Sequence, residues 1–372
     1  MRKKIFLIII AVVVAYVGMQ ALSFAAIFSP FIRHVILQKQ DTLKMSNGRF
    51  NVLILGIGGG SHDGPNLTDT IIYATVDTSK KKVTLISIPR DLWMPDLQEK
   101  INYAYAKGQE NGQNKGLILA EAEVSHMLNQ PVDYGFRIDF DGFVKAIDLL
   151  GGLDVNVDRT LDDYAYPISG KEDDTCGYPA DDIQAFTATV SSDLDVIQKF
   201  SCRFKHLHFD PGTIHMDGET ALEYVRSRHG IGSEGTDFAR SRRQQKVIEA
   251  IRGKVLSAST LFDINKLIGL YNITKSTIDT DIPQSEFGSI FSLFQSAKGS
   301  SINTAVIDYG DAATERPGLL INPPISSNYN SGSVLLPRIG EGNYEEIQQY
   351  VNCEITKSDC TISDKPSVTP TQ

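Results

Sequence analysis

From Ile5 to Ile32 the chain carries no charged residue, and Met-Arg-Lys-Lys precedes that run. A stretch of this length can span a bilayer, which needs about 20 apolar residues. The basic residues ahead of it predict a cytoplasmic N-terminus and an exported remainder. A cleaved signal peptide is the rival reading, because Ala25-Ala26 offers small residues for a cleavage site. Its apolar core would be only about 7–15 residues long, however. Residues 1–4 are therefore read as cytoplasmic, 5–29 as a transmembrane anchor and 30–50 as a linker.

Beyond residue 50 the pattern alternates between short apolar runs and helical spacing. NVLILGI (51–57) ends in glycines and predicts a buried strand. TIIYATVD (70–77) and KVTLISI (82–88), rich in β-branched residues and split by a short polar turn, predict a hairpin. Helical spacing marks 116–129 and 142–150, the latter stopped by Gly151-Gly152, and LDVNV (153–157) predicts another strand. Further helices are expected at 217–226, 237–257, 262–272, 284–295 and near 343–351, with a late strand at 302–308. Between 159 and 208 the pattern dissolves into an acidic, turn-rich insertion, expected as a tethered surface flap. The fold class expected is α/β: an α/β/α sandwich with a central mixed sheet, behind one N-terminal transmembrane helix. It occupies 51–352, followed by a polar tail over 353–372.

Charge narrows the function. A formal net charge of -9 and the lack of a long basic stripe argue against a nucleic-acid partner. An even number of cysteines in an exported domain suggests disulfides. Sequence neighbours pair most simply, Cys176 with Cys202 and Cys353 with Cys360, although three connectivities are possible. No CxxC spacing accompanies them, so they are expected to be structural and not metal ligands.

Against this acidic background, YVRSRHGIGSEGTDFARSRRQQ (224–245) concentrates Arg226, Arg228, Arg240, Arg242 and Arg243. Arginine forks match phosphate oxygens. A solvated helix face with scattered ion pairs is the bland alternative. Asp237, Arg240 and Arg243 follow at three-residue steps and share an arc of about 120° on a helix, with Arg242 pointing elsewhere. Such a set would clamp a diphosphate while the carboxylate orients a nucleophile or metal. The loop LGIGGGSHDGPNLTDT (55–70) lets backbone amides approach an anion, yet it is neither a Walker nor a Rossmann motif. Asp69, at a strand entrance, offers hard oxygen to a cation such as Mg²⁺, or simply caps the strand. Arg90 and Asp91, in SIPRD (87–91), fall at a strand's carboxyl end, where ligands collect in α/β sheets. A local ion pair would account for them equally. Lys100, Asn102 and Tyr103 are less specific polar candidates.

LTDT (67–70), SIPRD (87–91), and GETALEYVRSRH with DFARSRRQQ (218–245), supported by KINYAYAKG and FDGFVKAIDLLGGLDVNVD, together resemble the LytR–CpsA–Psr family of membrane-anchored cell-wall enzymes. The resemblance covers 51–158 and 207–257. It implies an α/β/α fold with a hydrophobic pocket for a polyprenyl chain. It also implies Mg²⁺-aided transfer of a glycopolymer from a polyprenyl-diphosphate carrier onto peptidoglycan, at the outer face of the cell membrane. Arg90, Arg226, Arg228, Arg240, Arg243 and Gln244 would then grip the diphosphate. Arg90, Asp91, Asp237 and Arg240 would be catalytic. Asp69 and Asp91 would hold the metal or orient arginines. The chain departs from the family in the first loop, GIGGGSHDG, and at Leu67-Thr68 ahead of Asp69, where arginines usual in the family are absent. His62 or the amides of Gly58–Gly60 would have to compensate. Hydrolysis of polyprenyl diphosphates and a non-catalytic lipid-binding or regulatory module are the alternatives.

Overall fold

The computed structural model describes residues 42–365, apart from 61–63, 113–114, 188–192, 262, 264–265, 267–268, 271, 274–276, 298, 312–315, 331 and 358–359. The expected anchor at 5–29, His62 and much of the expected helix at 262–272 lie outside the described residues. Among those described, no helix is long and apolar enough to cross a membrane.

β1 (Phe50–Ile57), β2 (Thr68–Asp77) and β3 (Lys82–Ser87) form where alternation placed them, the last two as an antiparallel hairpin. A two-residue ribbon, β4 (Trp93–Met94) with β5 (Glu99–Lys100), leads into α1 (Ala104–Glu110) and α2 (Lys115–Leu128). β6 (Tyr134–Asp139) then runs parallel to β1. This strand was not foreseen, because Gly135, Arg137 and Asp139 break its apolar pattern. Asp139 ends it and caps α3 (Phe140–Leu150), accepting the Gly142 amide at 2.8 Å.

β7 (Leu153–Val157) is a strand as expected, but it leaves the central sheet. It pairs instead with β10 (Gly212–Met216). Between them the expected flap is largely structured. β8 (Leu161–Pro167) pairs antiparallel with β9 (Phe204–Phe209), and α4 (Ala180–Thr187) and α5 (Asp193–Lys199) fill the connection. Cys176–Cys202 closes that connection, and Cys353–Cys360 forms the second disulfide. α6 (Gly218–Arg226) and the long α7 (Asp237–Val255) follow. The chain finishes with β11 (Ile278–Thr280), α8 (Phe287–Ser296), β12 (Ser301–Val306) and α9 (Glu345–Thr356). α9 runs past the expected boundary at 352, and its buried Ile355 belongs to the core.

The central sheet has six strands in the order β11-β6-β1-β2-β3-β12, parallel at β1–β6 and β3–β12 and antiparallel elsewhere. It is the mixed sheet of the expected sandwich. Successive strand residues face opposite sides. Leu53, Leu55, Tyr73 and Ile86 bury against α2 and α9, through residues such as Leu117, Val124, Ile347 and Val351. Ile72, Ala74 and Leu85 face the other way, against Ile248 of α7. Each such large side chain removed from water contributes about 1.5–3 kcal/mol. A separate apolar cluster joins β7, β8, β9 and β10 to α6 and, through Val247, to α7. α7 is therefore shared by two cores.

The linker's described end is held in place. Asp133 accepts the Ser46 hydroxyl at 2.6 Å and the Asn51 amide at 3.0 Å. This clasp sits at the amino end of β1.

Candidate functional site

The sheet's topology gathers the chemistry at one end. β1 and β3 finish there, β2 begins there, and β6 passes there into α3. Asp69 at the start of β2 thus faces Arg90, three residues beyond β3, and the two form an ion pair. The Ile88 amide bonds to the Ile71 carbonyl at 2.9 Å and carries the hairpin's pairing past the strand end toward that contact. α7 approaches from the opposite side with Arg240 and Gln244, and the end of α6 brings Val225, Arg226 and Arg228.

These groups line a cavity of about 360 Å³. Its wall includes Asp69, Arg90, Arg226, Arg228, Arg240 and Gln244, with Leu67, Phe140, Tyr166 and Val225 supplying apolar surface. Arg226 stacks on Phe140, its guanidinium carbon 4.3 Å from the ring centre. Gln244 donates to the Thr70 hydroxyl at 3.1 Å, which ties α7 to β2. Arg240 is buried, with 8% of its surface exposed. Burial pushes the Tyr166 phenol up to about 12, even against the opposing charge of Arg226. At neutral pH it therefore offers a protonated hydroxyl and no base.

Asp91 is turned differently. It accepts Lys100 Nζ at 2.9 Å and lies 3.5 Å from Arg90 Nε. Burial alone would raise its pKa, but the Lys100 hydrogen bond and the charges of Arg90, Lys100 and Arg228 outweigh burial and hold it below the usual range. It is ionised and orients Arg90 and Lys100. Both carboxylate oxygens face cations, so Asp91 fits the arginine-orienting role better than that of a metal ligand. Asp69 lines the cavity beside Thr70 and presents the hard oxygen donor that Mg²⁺ prefers.

Arg243 is not where the three-residue arc placed it. Its guanidinium donates to the carbonyls of Tyr224 (3.0 Å), Ser227 (2.6 Å) and Glu234 (3.0 Å), and to Glu234 Oε2 at 3.1 Å. It is 2% exposed and does not line the cavity. A three-residue step drifts about 60° one way around a helix, whereas a four-residue step drifts about 40° the other way. Starting from Arg240, Gln244 therefore stays with the cavity while Arg243 turns into α6. Arg242 does point elsewhere, donating to Glu234 at 2.6 Å and lining a second hollow with Phe238 and Arg316. Asp237 opens α7, but Thr236 is the cap, accepting the Ala239 amide at 3.1 Å. The Asp237 side chain lies outside the described set.

The first loop meets the cavity at Gly58 and Gly64. The Gly59 amide is already bonded to the Pro65 carbonyl at 2.9 Å and closes the loop on itself. Gly59 has φ +68°, and a Cβ there would fall 2.8 Å from that of Asp139. This position requires glycine for close packing at the end of β6.

Asp163 was missed by the sequence reading. Fully buried, it accepts the Ser227 hydroxyl at 2.6 Å, the His229 amide at 3.2 Å and the Ala165 amide at 2.9 Å. It thereby fixes the 227–229 segment that carries Arg228. Its neighbours Tyr166 and Pro167 complete the cavity wall, so the expected flap is part of the site. The signal was the alternation Leu161, Asp163, Ala165, hidden because a carboxylate occupies an inward position.

Comparison with known proteins identifies relatives of this chain. The chain is 28% identical over 312 residues to a polyisoprenyl-teichoic acid–peptidoglycan teichoic acid transferase, TagU, of Enterococcus faecalis, spanning 80% of this chain and 85% of that one. It is 26% identical over 280 residues to the corresponding TagV enzyme of Bacillus subtilis, covering 73% of this chain but only 60% of that relative's length. The crystal structure of B. subtilis TagV superposes with a TM-score of 0.51 at 25% identity, covering 83% of this chain and 97% of that one. The model of the LytR_cpsA_psr family matches residues 33–316, a span that holds the six-stranded sheet and the whole arginine-lined cavity, and the chain belongs to that family.

Proposed function

We propose that this protein transfers a glycopolymer phosphate from a polyprenyl-diphosphate carrier to a peptidoglycan hydroxyl. The observation that carries the reading is a single cavity combining Arg90, Arg226, Arg228 and Arg240 with the apolar Leu67, Phe140 and Val225. A ligand with a diphosphate joined to a hydrocarbon matches both linings. The relatives' names point to the same chemistry.

In the proposed reaction, the acceptor hydroxyl oxygen bonds to the phosphorus that bears the glycopolymer. The bridging P–O bond breaks, and polyprenyl phosphate leaves with the electron pair. Arginines already fixed by Asp69, Asp91 and Phe140 neutralise charge as it builds on the phosphoryl oxygens. Such preorganisation is the main contribution a protein makes to phosphoryl transfer. Asp237, one turn before Arg240, is the proposed acceptor of the hydroxyl proton. Asp69 is the proposed protein ligand of Mg²⁺, which would add positive charge beside the diphosphate when bound.

The anchor at 5–29 is proposed to hold the domain at the outer membrane face. The two disulfides support this, since such bonds persist in oxidising compartments.

The test uses the full-length chain with a polyprenyl-diphosphate-linked saccharide, Mg²⁺ and peptidoglycan fragments, followed by mass spectrometry. Saccharide phosphate joined to peptidoglycan is the expected product. Arg90→Ala and Arg240→Lys should each lower its formation by about 10²–10³-fold. Free saccharide phosphate would indicate hydrolysis, and tight binding without turnover would indicate a binding module. Either result overturns the transfer reading.

A further inference from the structure

The outer face of the β8–β9 hairpin carries a cluster that the cavity does not use. His206 and His208 are two residues apart on β9 and so project from the same face. Asp162 of β8 is the cross-strand partner of His208. His206 Nε2 and His208 Nδ1 lie 2.9 and 2.8 Å from the same Asp162 oxygen. The three potential ligand atoms all fall within 4.8 Å of one another.

We propose that Asp162, His206 and His208 form a surface site for a borderline transition-metal ion of the Zn²⁺ class. Two imidazole nitrogens and a carboxylate are a donor set suited to zinc, with the fourth position open to water or an exogenous ligand. Two further contacts prepare the site. His208 Nε2 is 3.3 Å from Asp210, so a carboxylate holds the ring nitrogen that faces away from the metal position. Such an outer partner fixes the tautomer and makes the ligating nitrogen more basic. Tyr164 stacks flat on His206, ring centres 3.9 Å apart and planes within 1°, and sets that ring's orientation. Strand register and two supporting side chains thus place the donors before any ion arrives.

The site has a structural consequence. A bound ion would tie β8 to β9 on their outer face. The opposite face of β8 carries Asp163, which holds the Arg228 segment, and its end supplies Tyr166 and Pro167 to the cavity. Occupancy would stiffen that wall. The proposal does not depend on the transfer chemistry.

The experiment is zinc titration of the metal-stripped full-length chain by calorimetry at neutral pH, with Zn²⁺ as the only added ion. We expect one equivalent bound by the wild type, and binding weakened at least about tenfold in His206→Ala or His208→Ala. Asp210→Asn should weaken it less than either. Circular dichroism confirms that the variants are folded, and Co²⁺ on the wild-type protein gives an independent readout. The intense visible bands of tetrahedral nitrogen–oxygen coordination are expected there. Equal zinc binding by the wild type and the His206→Ala/His208→Ala double variant would place the ion elsewhere and overturn the proposal. So would a wild type that binds no zinc at micromolar concentration, or a Co²⁺ spectrum of hexa-aqua type.

Discussion

Arg240 and Arg243 look equivalent in the string ARSRRQQ, yet one lines a cavity and the other fills a socket of carbonyls. Removing them should produce different defects. Arg243→Ala strands the buried Glu234 with only Arg242 and leaves three carbonyls without their donor, so it should cost about 3–5 kcal/mol of stability in thermal melts. Arg240→Lys should melt close to the wild type and fail in transfer. Residue identity was legible in the sequence here, but side-chain direction was not, because it depends on what α6 places beside α7. Glu121 offers a second test. Its Oε1 is buried without a hydrogen-bond partner among the described residues. Burial, reinforced by the charges of Asp281 and Asp279, pushes its pKa up to about 7. The unfolded chain releases this proton near pH 4.3. Between those values the folded state binds more protons, so stability falls as pH rises through the window and levels off above it. Glu121→Gln should therefore raise the melting temperature at pH 8, by the equivalent of roughly 3 kcal/mol, and change little at pH 4.

At the scale of elements, period and punctuation recovered the strands of β1–β3 and the helices α2, α3, α6 and α7 almost to the residue. They failed where a polar group interrupts the apolar pattern of a strand. β6 carries Arg137 and Asp139, β8 carries Asp163, and both read as loop. The physical reason is the same in each case: the strand faces a polar pocket or network, so its buried positions need not be apolar. The β8–β9 connection gives the element-level prediction. Cys176–Cys202 closes a loop of 26 residues, for which chain entropy predicts about 3.5 kcal/mol. Cys176→Ser/Cys202→Ser should speed hydrogen exchange in β8 and β9 while amides of β1 and β2 stay protected. If all four strands lose protection together, the hairpin is not a separate unit of opening.

The whole molecule rests on α7, which buries Val247 in one core and packs the half-buried Ile248 against the other. Calorimetry should show one unfolding transition for the domain, lowered as a single peak by Ile248→Ala at a cost of about 2 kcal/mol. The tether geometry adds a further expectation. The Asp133 clasp lies at the amino end of β1 and the cavity lies beyond its carboxyl end, about 25 Å away along eight extended residues. With the proposed anchor in the same membrane as the lipid donor, the linker must let the domain lie over. Deleting about six linker residues removes about 20 Å of reach. It should depress transfer from vesicle-borne donor and spare transfer from a detergent-dispersed one. The division into separate apolar cores was not legible in the sequence, because nothing in LDVNV distinguishes a strand of the central sheet from one that pairs with β10. A last consequence concerns the order of synthesis. The edge strand β12 and the helix α9 are made after the other strands of the central sheet, and buried Lys82 on β3 holds the Glu354 and Ile355 carbonyls at 2.6 and 3.1 Å. A premature stop codon just after residue 340 would leave every arginine of the cavity encoded. It would also leave one face of the sheet bare and strip Lys82 of the Glu354 and Ile355 carbonyls, and such a product is expected to be degraded by quality-control proteases.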